Sequence, residues 1–122
     1  MIGAAMTISE INPARKFVVG SRKKITISHC ANIDLEENEQ VTFVSDNDTE
    51  LDIVRKCWGY YVTPSINKRL LNFGFSTYVV SNDRGNIYIM AVEQNRDLEF
   101  RSYLTDTNQN IIINLSLFHA ST

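Results

Sequence analysis

At 122 residues the chain has the length of one domain, and a second hydrophobic core would be too small to stand alone. A hydrophobic fraction of 43% with 21% charged residues excludes wholesale disorder. A net charge of −2 argues against a general nucleic-acid binder, which draws most of its affinity from phosphate neutralisation.

Residues 1–14 carry little pattern, and Pro13 interrupts any helix there, so they are expected as a loosely ordered leader. Residues 15–122 are expected to form the single domain. Residues 16–20 suit a short strand. From Lys24 onward Ile25 and Ile27 alternate with Thr26 and Ser28, the period of a half-buried strand. After the polar turn 36–39, residues 41–44 and 51–54 form two strands. They flank Ser45-Asp46-Asn47-Asp48, whose side chains favour a hairpin tip. The second of these strands is expected to continue through Trp58 to Val62, with Trp58 and Tyr60 anchored in the core.

Thr63-Pro64 reads as a helix start, with threonine as cap and proline at the first helical position. Ile66, Leu70 and Phe73 then make one buried stripe, and Gly74 ends the helix in the left-handed region. Residues 77–81 and 87–92 are strands around the turn formers 82–86. Both are apolar at nearly every position, which predicts cover on both faces. Residues 96–104 form a second helix, with Asn95 as cap and Phe100, Tyr103 and Leu104 inward. In the last strand Ile111, Ile113, Leu115 and Leu117 point in, and Ile112, Asn114 and Ser116 point out. Strands dominate and helices come singly. The expected fold is therefore an α+β single domain, mainly one antiparallel sheet of five to six strands covered by two short helices. The helix between 87–92 and 111–117 would make one parallel crossover.

Charge is segregated along the chain. Residues 15–24 hold Arg15, Lys16, Arg22, Lys23 and Lys24 with no acid; residues 34–52 hold eight acids with no base. Pairing of two such strands across a sheet is the preferred reading over a basic docking patch, each pair contributing roughly 0.2–1 kcal/mol. Two cysteines, Cys30 and Cys57, are too few for a disulfide framework, and no secretory n-region with an apolar core opens the chain. No apolar run reaches the ~20 residues of a membrane span. The expected location is the cytoplasm, with both thiols reduced and packed as small hydrophobes.

Catalytic and metal chemistry find little support. His29, Cys30, Cys57 and His119 offer only one adjacent pair of zinc-type ligands. His29 and Cys30 point to opposite faces of a strand, and His119 is near the end of the sequence, so Cys57 has no evident base. Residues 46–50 resemble the start of a calcium loop, but Leu51 stands where that loop needs glycine. No catalytic residue, metal or cofactor is called for.

The segment 57–71 concentrates what remains. Tyr61, Thr63, Ser65, Asn67, Lys68 and Arg69 are the candidate binding residues: a ring beside Gly59, two hydroxyls at a helix start, an amide and two cations. Three readings stay open: a well-anchored strand-to-helix corner, contact with a protein partner or a second copy, or a phosphate or nucleotide-sugar site at the helix N-terminus of Thr63–Ser65. The rings and cations also suit single-stranded nucleic acid, which the neighbouring acids disfavour.

Residues 58–70 (WGYYVTPSINKRL), with Phe73-Gly74-Phe75 after them, resemble a stretch in small uncharacterised bacterial proteins from surface-polysaccharide biosynthesis gene neighbourhoods. That resemblance implies a context and no activity: an accessory domain near glycosyltransferases or nucleotide-sugar enzymes. The sequence as a whole reads as a non-catalytic accessory or regulatory domain acting through protein–protein contacts, with a homodimer as one form. An anion-binding domain or a small enzyme is the alternative.

Overall fold

The computed structural model describes residues 6–20, 22–46, 48–63 and 65–118. Its element order is β1 (Thr7–Val19), β2 (Ile25–Asp34), β3 (Gln40–Val44), β4 (Glu50–Lys56), β5 (Gly59–Thr63), α1 (Arg69–Asn72), β6 (Phe75–Ser81), β7 (Ile87–Glu93), α2 (Asp97–Thr107) and β8 (Asn110–Asn114). The class is α+β with mostly antiparallel strands and two helices. The strands fall into three small sheets, β1-β2, β3-β4-β5 and β7-β6-β8, rather than the single sheet of five to six expected.

Local chemistry explains the division. The chain reverses tightly at Cys57-Trp58, where Lys56 pairs with Gly59, so the expected long strand becomes the hairpin β4–β5. Gly59 sits at φ 144°, a backbone region other residues enter only with strain. The leader expected over residues 1–14 is, from Thr7 onward, a strand paired along β2, broken in register between Glu10 and Arg15; residues 1–5 lie outside the described residues. The basic stretch thus pairs with β2 and not with the acidic strands, which pair with each other. The expected ladder of opposite charges does not form; among the described residues the basic tip of the arm β1–β2 has one ion pair, Lys23 Nζ to Asp106 Oδ2 at 3.3 Å.

The core lies under α2. Tyr78, Val80 and Val92 of the third sheet pack against Phe100 and Leu104, with Met90 and Ile111 at the margin. The Tyr78 and Phe100 rings stack at 5.2 Å. α2 begins at Asp97 after a 3-10 turn, and no side chain caps it, so Asn95 does not serve as cap; Asn108 closes it in the left-handed region. Tyr103, expected inward, is 38% exposed. Strands β7 and β8 both run antiparallel to the central β6, so the connection through α2 is a parallel crossover that skips one strand.

A register shift between Val79 and Val80 inserts Ile112 as an extra residue in β8, which ends the expected alternation. Beyond it, Asn114 Oδ1 accepts the Ser116 N–H and turns the chain. Ser116, expected outward, is buried and receives the Thr77 N–H at 2.8 Å, while Ile113 and Leu117 are exposed.

The second and third sheets are joined by a polar clasp. Ser45 and Thr49 hydroxyls both donate to Glu93 Oε1, at 2.6 and 2.9 Å. Gly74, at φ 100°, fits against the same Thr49: a Cβ there would stand 2.7 Å from its methyl group.

Candidate functional site

The corner 57–73 is the first place to look, and the structure rearranges it. Helix α1 is a four-residue turn, Arg69–Asn72, and does not start at Thr63-Pro64. The expected stripe survives in part: Leu70 is fully buried, Ile66 half-buried, and Phe73 exposed. The capping hydroxyl is that of Ser65, whose Oγ accepts the Arg69 N–H at 3.1 Å and whose carbonyl accepts the Leu70 N–H at 2.9 Å. Ser65 therefore holds its own turn. A phosphate site built on a helix N-terminus at Thr63–Ser65 lacks that helix.

The remaining candidates have the following positions. Asn67 Nδ2 donates to the Phe118 carbonyl at 2.7 Å, fastening this turn to the chain beyond β8. Lys68 and Arg69 are exposed, and the Arg69 guanidinium lies 5.8 Å from the Phe73 ring centre. Tyr61 is 42% exposed and faces the Trp58 ring at 6.2 Å with a 32° tilt. Thr63 belongs to β5, and its side chain lies outside the described residues, as does Pro64. Among the described residues no hydrogen bond or ring contact joins Tyr61 to Ser65, Asn67, Lys68 or Arg69.

The aromatic anchoring expected here is reversed. Trp58 occupies the β4–β5 turn and is 67% exposed, and Tyr60 is 54% exposed beneath the Arg55 guanidinium at 4.9 Å. Trp58 misses the core because the tight turn carries it past the strand end. The two cysteines, expected to be packed, are also exposed. Cys57 shares that turn, and Cys30 lies on the outer face of β2, with its thiol donating to the Ser28 carbonyl.

Sequence reasoning missed a larger feature. Cross-strand register places Ile89, Val79 and Ile113 in one row across β7-β6-β8, on the face away from α2, with Ile87 beside Ser81 in the next row. Ile89 is 69% exposed, Ile87 64% and Ile113 49%. The two-sided apolar pattern of these strands carried the signal, but α2 covers one face only. On the arm, Phe17 faces Ile27 and Ile8 faces Ile33, and all four are partly open to water. A second apolar cleft of about 190 Å³ runs between the arm and the middle sheet, lined by Ile33, Leu35, Val41, Phe43, Ile53 and Tyr60.

Among the described residues no three histidine, cysteine or acidic side chains converge as metal ligands. No helix there is long and apolar enough to cross a membrane. No protein-family model, no curated protein and no solved structure matches the chain.

Proposed function

We propose that this chain is a non-catalytic accessory or regulatory binding module that works through protein–protein contact, its first partner being a second copy of itself. The observation that supports this is the open row Ile89–Val79–Ile113: contiguous apolar surface on a paired sheet marks a contact site. A two-fold dimer uses one self-complementary patch, and an apolar row across a sheet suits that geometry. On the resemblance of residues 58–75, the setting is accessory to surface-polysaccharide assembly in the bacterial cytoplasm.

Size-exclusion chromatography with light scattering tests this. The expected result is a dimer mass for the native chain and a monomer for Ile89→Asp, with unchanged circular dichroism. A clean native monomer at high micromolar concentration overturns the proposal.

A further inference from the structure

A cavity of about 730 Å³ lies on the other side of the third sheet, between the tip of the arm and the 82–86 turn. Its chemistry is divided. Arg22, Lys23 and Lys24 from the arm and Arg84 from the turn line it. So do Tyr88 and Tyr103 from the core, with Val19, Ile25 and Ile27 from the arm. We infer that this cavity is a binding site for a phosphorylated small molecule with a flat aromatic part, the class of nucleoside phosphates.

Charge supports the phosphate. Four cations meet one lining acid, Asp83, in a chain whose net charge is −2. Asp83 is occupied in accepting from Asn108 Nδ2 at 3.1 Å, and Lys23 is held at 3.3 Å by the exposed Asp106 outside the lining. Arg22, Lys24 and Arg84 have no ion pair among the described residues, and cations of this kind recognise phosphate by charge-assisted hydrogen bonds.

The turn that presents Arg84 is pre-formed. Asn82 Oδ1 accepts both the Arg84 and the Asn86 N–H, at 3.0 and 2.9 Å, so the backbone of the turn is held in place without a ligand. Size supports the aromatic part, since pockets of roughly 300–1,000 Å³ with mainly apolar walls take ligands of this bulk. Tyr88 pairs with Val80 across β6–β7, and Tyr103 stands on α2, so both residues are carried by elements that form the core. On the wall, Gln109 spends its amide N–H on Thr107 Oγ1 and leaves its buried Oε1 unpartnered, an acceptor that a ligand hydroxyl or amine can satisfy. The site shares no surface with the Ile89–Ile113 row, so either assignment can fail alone.

The test is calorimetric titration of the full-length chain with ATP and with UDP, against inorganic pyrophosphate as the charge-only probe. Both nucleotides are expected to bind more tightly than pyrophosphate. Lys24→Ala/Arg84→Ala should raise their Kd at least about tenfold, the weight of one lost charge-assisted bond. Tyr103→Ala should remove the preference over pyrophosphate, and Lys68→Ala/Arg69→Ala, which deletes equal charge elsewhere, should leave all three affinities unchanged. Absence of nucleotide binding overturns the inference. So does binding that is indifferent to Lys24→Ala/Arg84→Ala, or that is lost in Lys68→Ala/Arg69→Ala.

Discussion

The two faces of the β7-β6-β8 sheet are both apolar and are covered to different extents. On one, Tyr78, Val80 and Val92 are 8% exposed or less beneath Phe100 and Leu104. On the other, Phe75 and Thr77 are buried, while Ile87 and Ile89, at the end toward the 82–86 turn, stand more than half open. Burial contributes about 25 cal/mol per Å² of apolar surface wherever the cover comes from. The covered face stabilises the chain alone; on the proposed function, the open end of the other face contributes through a second copy. An apolar strand pattern therefore specifies that a face is to be covered, not which molecule covers it.

Paired substitutions break or sharpen this contrast. Phe100→Ala should cost about 3–5 kcal/mol in denaturant unfolding, because it opens a cavity in a packed core. Ile89→Ala should change the stability of the separated monomer by no more than about 0.5 kcal/mol. Equal losses at both sites would mean that the two faces are not distinct. On the proposed dimer, Ile89→Asp should weaken association and make the unfolding midpoint independent of protein concentration, whereas the native midpoint should rise with concentration. Gly74→Ala tests how the covered sheet is joined to its neighbour. Its positive φ and the 2.7 Å approach to the Thr49 methyl both resist a side chain, so a loss of more than about 1 kcal/mol is expected.

What the sequence revealed follows the range of its signals. The hairpin tips at 45–49 and 82–86 were legible because their turn chemistry is local: Val44 pairs with Glu50 and Ser81 with Ile87, as Asn and Asp residues between apolar runs predict. Helix α2 was legible from its periodicity, and two of the three side chains expected inward, Phe100 and Leu104, are buried. The break at Cys57-Trp58 was not legible, since neither residue is a usual turn former and only Gly59 marks it. That one reversal moved Trp58 from core to surface. The clustering of Arg22, Lys23 and Lys24 with Arg84 was equally hidden, because two turns some sixty residues apart must meet to make it.

Trp58 gives a smaller effect with a clear sign. Trp58→Ala should leave monomer stability within about 0.5 kcal/mol, as expected for a turn residue 67% exposed, where a core tryptophan would cost about 3–5. A loss of the larger size would return Trp58 to the core.

The smallest expected effect lies at the start of α2, the element that distinguishes the covered face. Arg96 Nη1 donates to Glu99 Oε2 at 3.0 Å, and this bond, followed by Glu99's own backbone N–H, holds the Glu99 carboxyl below its usual range. A carboxylate whose folded pKa is lowered contributes stability above its unfolded pKa and loses it as pH falls through the folded one. Glu99→Gln should therefore lower the melting temperature slightly near neutral pH, and the difference from the native chain should close in acid. Both partners are more than half exposed, so water and salt screen the pair and added salt should close the same gap at neutral pH. Persistence of the difference at acid pH would assign it to packing of the Glu99 stem over α2, and the cover of that face would then owe nothing to this ion pair.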